Sequence, residues 1–324
     1  MRDKVLITGG CGFIGSSLAE LLVNLGYHVS VLDKYNIDNY KGCLQKSKFK
    51  KDIEFLLGDV RDYDYVHKSV KGKNIVLHLA ALIGIPYSYI SPLAYVKTNI
   101  EGTYNILESC RNHSVENVII TSTSEVYGTA RYTPIDEFHP LQPQSPYSAS
   151  KIAADNLAKS YFYSFESNVK IIRPFNTFGP RQSKRAIIPT IIDQLISDKK
   201  EIELGSTDPI RDFTYIDDTC NAFLKLIKLK GNFGHEYNIG NNKSISIKDL
   251  IILLSEITGI KKKIKQSSSR IRPKKSEVLE LRCSFDKFYS KTKWTPKIKL
   301  REGLTNTYKW FLKNKKFHED IYHV

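Results

Sequence analysis

Tyr147 and Lys151 stand four residues apart in the run Tyr147-Ser148-Ala149-Ser150-Lys151, downstream of the hydroxyl-rich stretch Thr121-Ser122-Thr123-Ser124-Glu125. That offset puts the phenol and the ammonium on one face of a helix. An ammonium there favours the phenolate and is expected to lower Tyr147 from its ordinary pKa of about 10, making it a base near neutral pH. Thr123, at the end of an apolar strand, is expected to hydrogen-bond the same substrate hydroxyl. Such a set suits the oxidation of a carbinol. A tyrosine–lysine pair at this spacing also occurs in helices that do no chemistry, so the reading depends on what lies elsewhere in the chain.

That support comes from Val5-Leu6-Ile7-Thr8-Gly9-Gly10-Cys11-Gly12-Phe13-Ile14-Gly15. A glycine turn here follows a strand and precedes a helix. Gly9 permits the tight turn, Gly12 lets the backbone approach a pyrophosphate, and Gly15 allows close helix packing, with N–H donors at the helix start. Phe13 and Ile14 belong to the same cradle. Asp33, ending the second strand, is placed to accept from the ribose hydroxyls of the adenosine and to repel a 2'-phosphate, which favours NAD over NADP. Asp59 has two readings, a partner for the adenine amino group or a helix N-cap. Val60, Leu79, Ala80 and Ala81 complete the expected cofactor contacts, and Lys151 is expected to hold the nicotinamide ribose.

The elements that must position these groups alternate along the first half of the chain. Candidate strands are Lys4–Thr8, His28–Asp33, Ile53–Gly58, Asn74–Leu79, Asn117–Thr121 and Val169–Arg173, with apolar residues at helical spacing between them, such as Leu18, Leu21, Leu22 and Leu25. Strands alternating with helices predict a doubly wound parallel sheet, an α/β Rossmann domain. After Pro174 the elements shorten and are broken by Gly, Pro and Lys, which suggests a smaller α/β substrate domain. The expected division is 1–175 for the cofactor domain and 176–324 for the smaller one, with 215–240 packing back onto the first.

Composition excludes several classes. The chain has 324 residues, 41% apolar, and its longest apolar runs fall far short of the roughly 18 residues of a membrane span. Its start lacks the apolar region and cleavage site of a secretory signal, so a cytoplasmic location without membrane association is expected. Five scattered cysteines, with no paired spacing or His cluster, argue against disulfides and against a metal site. The formal charge of +15 is carried largely by lysines around 46–51, 261–265 and 287–316. Without interleaved aromatics this reads as a solvated basic surface rather than a nucleic-acid module. Such a field also draws in an anionic nucleotide.

Taken together, TGGCGFIG, His78-Leu79-Ala80-Ala81, TSTSEVYG, YSASK, Arg173-Pro174-Phe175-Asn176, Arg211-Asp212-Phe213-Thr214-Tyr215 and Arg272-Pro273 resemble the extended short-chain dehydrogenase/reductase family over nearly the whole chain. The resemblance implies a nucleotide-sugar substrate and an NAD that stays bound through turnover. It also implies that Asn176 and Arg211 contact the diphosphate and that Arg272 and Glu277 reach the nucleotide end, with Arg185 counted among the substrate contacts. Members are commonly homodimers, and the candidate helices for that contact are Pro92–His113 and Tyr147–Phe165.

Glu125 separates the reactions that this family performs. A 4-epimerase needs only Thr123, Tyr147 and Lys151. A 4,6-dehydratase must also remove the C5 proton, acidic once C4 is a ketone, while the C6 hydroxyl leaves as water. Glu125 suits the C5 proton, and Glu125 or Ser124 suits protonation of the leaving hydroxyl. Thr-Ser-Glu is similar to GDP-mannose 4,6-dehydratases, whereas dTDP-glucose dehydratases typically carry Thr-Asp-Glu. UDP-glucuronate decarboxylases share Thr-Ser-Glu, and in that reading Arg211 orients the departing carboxylate. The longer stretches STSEVYGTA, HPLQPQSPYSASK and RPFNTFGPRQS look most like bacterial 4,6-dehydratases of the legionaminic acid pathway, which implies GDP-N-acetylglucosamine as substrate and a role in surface glycan synthesis. Three readings stay open beside it: the decarboxylase, the epimerase and a catalytically silent NAD-binding regulator.

Overall fold

The computed structural model describes residues 3–34, 41–267, 270 and 272–314. Short apolar segments that satisfy their backbone only by pairing form the strands β1 (Lys4–Thr8), β2 (His28–Asp33), β3 (Ile53–Leu57), β4 (Ile75–His78), β5 (Asn117–Thr121) and β6 (Val169–Pro174). Shorter strands follow: β7 (Thr177–Phe178), β8 (Glu201–Leu204), β9 (Ile210–Asp212), β10 (Thr214–Tyr215), β11 (Glu236–Ile239), β12 (Ser244–Ser246) and β13 (Lys263–Gln266). The helices are α1 (Phe13–Asn24), α2 (Tyr63–Val70), α3 (Ile85–Ile90), α4 (Pro92–Tyr95), α5 (Gly102–Asn112), α6 (Pro146–Phe165), α7 (Ile187–Ile196), α8 (Ile216–Lys228), α9 (Ile247–Thr258), α10 (Asp286–Thr292) and α11 (Leu300–Lys313).

The main sheet runs β11-β6-β5-β4-β1-β2-β3 with every pair parallel. Sequence periodicity anticipated six of these strands. The seventh, β11, comes from beyond Pro174 and adds to the β6 edge. Because strand side chains alternate, Val5 and Ile7 join a core with Leu18, Leu22, Phe223 and Leu226, whereas Leu6 faces Ile106, Leu107, Ala158 and Tyr161. Burial on both faces explains why these strands are almost wholly apolar. The strand order reverses between β1 and β4, the place where open sheets bind ligands beyond the carboxyl ends of their strands.

The remaining short strands pair as β7 with β10, β8 with β13, and β9 with β12. A third apolar cluster, including Val126, Tyr127, Phe175, Val278, Leu281 and Cys283, clamps the segment around 278–283 beside the site. Bridges from Ile210 to Glu280 and from Ile135 to Cys283 fix its register. Among the described residues, no helix is long and apolar enough to cross a membrane.

Candidate active site

At the end of β1 the chain turns through Gly9, whose φ of +68° suits glycine, and enters α1. A Cβ on Gly15 would lie 2.4 Å from the Gly9 carbonyl oxygen, so the turn closes only on glycine. The α1 N-cap is Gly12, with no side chain to cap the first turn, which leaves N–H groups near Phe13 and Ile14 for an anion. Asp33 anchors the turn: Oδ2 accepts from the Cys11 N–H at 2.9 Å and Oδ1 from the Lys34 N–H at 2.8 Å.

Asp59 sits just past β3 and is not the helix N-cap of its second expected reading. Arg61 donates to it from Nε at 3.0 Å and from Nη2 at 2.6 Å, which holds its carboxyl below the usual range. The α2 N-cap is Asp62, three residues on, which accepts from the Tyr65 N–H. Val60 is buried and its carbonyl accepts from Asn105 at 2.9 Å.

Leu79, Ala80 and Ala81 follow β4 beside the glycine turn. The Leu79 N–H donates to the Thr8 carbonyl and the Ala80 N–H to Thr8 Oγ1. Behind them His78 is buried, and burial together with the Lys151 charge pushes its pKa down to about 3. Its partners assign the tautomer. Thr103 donates its hydroxyl to the Asn99 carbonyl at 2.6 Å, so it accepts from Nε2 of His78, and Nδ1 accepts from Thr8 at 2.7 Å. Asn99, in the π-helical segment Val96–Glu101, grips Leu82 through both backbone groups and donates to Ser150, which donates to the Tyr147 carbonyl. A continuous chain of hydrogen bonds thus ties the glycine turn to the first turn of α6. Within the quoted motifs, His78 drew no role from sequence reasoning, and Asn99 gave no signal.

The start of α6 is set by Ser145, Pro146 and Ser148, which form a capping box around a proline in the first turn. Tyr147 follows directly and is buried, with Tyr95 edge-on at 6.2 Å between ring centroids. Thr123 hydrogen-bonds the Tyr147 phenol. Its Oγ1 also accepts from the Glu125 N–H at 3.2 Å, which caps the short turn Ser124–Tyr127. Ser124 within that turn is buried, and Glu125 is half-buried.

Lys151 corrects the expectation for the phenol. Its ammonium donates to the Thr121 carbonyl at 2.6 Å, and burial lowers its pKa to about 8. Burial is the largest influence on Tyr147 and pushes it up, as do the charges of Glu125, Tyr95 and Asp155; the Thr123 hydrogen bond pulls it down. Lys151 is not among these influences. Burial thus opposes the phenolate, and the Thr123 hydrogen bond favours it.

On the substrate side Arg211, buried on β9, donates to the Ile210 carbonyl at 3.0 Å and lies 3.4 Å from Glu277. Glu277 also approaches Arg272 at 3.6 Å. Burial lowers the Arg211 pKa, and the charges of Glu125 and Glu277 oppose that. The structure therefore brings Arg211, Arg272, Glu277 and Glu125 together. Arg185 is exposed, and its charge acts on Tyr95, the ring edge-on to Tyr147. Asn176, just past β6, has its side-chain nitrogen buried without a partner, and Arg272 Nη1 is likewise without a hydrogen bond. A buried donor without an acceptor, at Asn176, beside an arginine whose Nη1 meets only Glu277 and beyond hydrogen-bond distance, fits an anionic ligand such as a diphosphate.

Residues 6–307 match the family model for GDP-mannose 4,6 dehydratase. The chain is 32% identical to human dTDP-D-glucose 4,6-dehydratase over 97% of its length and 91% of the relative's. It is 30% identical to a putative UDP-glucose 4-epimerase of Methanocaldococcus jannaschii, covering 96% and 99%. DesIV, the dTDP-glucose 4,6-dehydratase of Streptomyces venezuelae solved with NAD bound, superposes with a TM-score of 0.90 at 27% identity over 98% of this chain and 99% of that one. A cleft built at the carboxyl ends of β1, β4, β5 and β6, with a sequence match over nearly the whole chain, places this protein in the GDP-mannose 4,6-dehydratase family of nucleotide-sugar enzymes.

Proposed function

We propose that this chain is an NAD-dependent nucleotide-sugar 4,6-dehydratase, with GDP-N-acetylglucosamine as its substrate. The observation that carries the reaction type is Glu125, a half-buried carboxylate two residues from Thr123 whose charge reaches both Tyr147 and Arg211. The glycine turn, the uncapped start of α1, Asp33 and Lys151 fit NAD. When bound, NAD supplies a reversible acceptor for the hydride that leaves C4 and returns at C6.

The chain's own residues manage the protons. Arg211, Arg272 and Asn176 hold the diphosphate, with Glu277 fixing both arginines. Tyr147, with Thr123, takes the proton of the C4 hydroxyl as C4 becomes a ketone. Glu125 takes the C5 proton, and the C5–H electron pair forms the C5–C6 double bond as the C6 hydroxyl leaves. That hydroxyl leaves as water with a proton from Glu125, directly or through Ser124. A proton then returns to C5, which gives a 4-keto-6-deoxy sugar, and the net change is loss of one water.

The GDP-N-acetylglucosamine assignment, and a place in bacterial surface glycan synthesis through legionaminic acid, are supported by the likeness of the 122–183 motifs. Ser124 stands where dTDP-glucose dehydratases typically carry an acid, which leaves Glu125 as the carboxylic acid for the departing hydroxyl. Epimerisation would leave Glu125 without a role. A cytoplasmic homodimer is part of this reading, supported by Leu93, Val96, Tyr104, Tyr163 and Phe165, large apolar side chains exposed on the two helical stretches expected to pair.

Incubation with GDP-N-acetylglucosamine, GDP-mannose, dTDP-glucose, UDP-glucose and UDP-glucuronate, read by mass spectrometry, tests the proposal. Loss of water from the GDP sugar is expected. Loss of carbon dioxide from UDP-glucuronate, or a changed configuration at unchanged mass, would replace it with the decarboxylase or the epimerase. NAD retention with every sugar unchanged would leave the silent regulator.

A further inference from the structure

Asp155 lies one helical turn beyond Lys151 on α6, the third polar residue of a series that begins at Tyr147. It is buried, as is its partner Arg173 on β6. Arg173 donates to Asp155 Oδ2 from both Nε and Nη2 at 2.9 Å, so a single carboxylate oxygen takes both bonds. Oδ1 is buried and has no hydrogen-bond partner. The far side of Arg173 is fixed in turn: Nη1 donates to the Tyr127 hydroxyl at 2.8 Å, and that hydroxyl donates to Asn238 Oδ1 at 2.7 Å. Asn238 is held by Glu137, which accepts from its N–H at 2.7 Å.

A buried ion pair is a poor source of stability, because desolvation offsets most of the attraction, so its presence here asks for another role. We infer that Asp155, clamped by Arg173 and Tyr127, is a positioning residue that keeps the buried Lys151 side chain in its ammonium form. The carboxylate is one helical turn from Lys151, its second oxygen is unpaired, and the guanidinium that balances it sits on a neighbouring strand. The pair is thus a fixed one, and its carboxylate member shares the helix with Lys151 one turn away. Two opposed influences act on the Lys151 charge: burial, which disfavours it, and Asp155, which favours it.

The other groups around Lys151 do not substitute for Asp155. His78, at the end of β4, is pushed toward its neutral form by burial, as is Tyr147 on α6 itself. Glu125 lies beyond Tyr147, where its charge falls on the phenol and on Arg211. Arg173, from β6, carries the wrong sign. This inference rests on the proposed role of Lys151 in turnover.

The test compares the wild type with Asp155→Asn and Asp155→Glu in NAD-loaded protein. Side-chain NMR of isotope-labelled lysine follows the Lys151 titration, and the pH profile of sugar turnover is measured beside it. In Asp155→Asn the Lys151 titration and the alkaline limb of the profile are expected to move acidward by about one pH unit, and Asp155→Glu is expected to restore both. If Asp155→Asn does not fold, the double variant Asp155→Asn/Arg173→Gln, which leaves neither charge unpaired, is expected to move in the same direction. An unmoved Lys151 titration in a folded variant overturns the inference, whatever the activity. A shifted titration in a protein inactive on every sugar upholds it and counts only against the proposed function.

Discussion

At the β1 end of the cleft, the groups that face a ligand are mostly backbone: the glycine turn, the uncapped start of α1 and the N–H groups that Asp33 orients. At the opposite end, side-chain charges from Glu125, from Arg211 and from the 272–277 stretch that carries Arg272 and Glu277 meet from three separate segments. Backbone donors in a closed turn are preorganised by chain geometry and recognise the phosphate shared by every nucleotide. A cluster of long side chains is adjustable, and in the proposed reading it holds the substrate's diphosphate while Glu125 meets the sugar. The difference teaches that a change at the first end should alter whether cofactor is held, and a change at the second which molecule is transformed.

The strongest way to break this division is at the reacting carbons. Glu125→Gln is expected to lower water loss by roughly 10²–10⁴-fold while the C4 ketone still forms, detected by trapping it with labelled borohydride. Tyr147→Phe is expected to stop that ketone from forming at all, by a similar factor, with NAD content unchanged. Trapped ketone at wild-type levels in Tyr147→Phe would remove the phenol from its assigned step.

A smaller effect is expected at Arg211. Arg211→Ala removes charge-assisted bonds of about 1.5–3 kcal/mol each, so KM for the nucleotide sugar should rise by roughly 10–150-fold while NAD stays bound. Loss of NAD with unchanged KM would contradict the division of labour. Gly15→Ala, at the other end, sets a methyl against the Gly9 carbonyl at 2.4 Å. Overpacking of that kind costs about 1–3 kcal/mol, to be read as lost NAD in the purified protein with the fold retained by circular dichroism. The mildest change is Asp33→Ala, which should weaken NAD by roughly tenfold and narrow its advantage over NADP. Titration calorimetry with both dinucleotides checks it.

The same contrast explains what was legible in the sequence. Gly9, Gly12, Gly15 and Asp33 lie within one strand–helix–strand unit, where local geometry enforces the residue types. Tyr147 and Lys151 were legible for the same reason, since helical spacing alone brings them together. Arg211, Arg272 and Glu277 came only through resemblance, because no local rule joins β9 to a segment more than a helix away. Asp155 and Arg173 were overlooked because a carboxylate on a helix reads as surface until the partner strand is placed. The phenol was misjudged for a related reason: spacing shows that an ammonium is near, but not that burial outweighs it or that a carbonyl has claimed it. β11 falls in the 215–240 stretch expected to pack back onto the first domain, but its strand was not anticipated because parallel edges are completed by segments remote in sequence, and the N-cap reading of Asp59 failed because Asp62 takes that place.

The most direct test of the account is the exchange of the C5 hydrogen. With GDP-N-acetylglucosamine in deuterium oxide, the wild type should release a product that has lost one water and gained one deuterium at C5, and Glu125→Gln should yield neither change. Water loss with C5 deuteration at wild-type rate in Glu125→Gln would contradict the assignment of Glu125 as the group that turns C4 oxidation into dehydration.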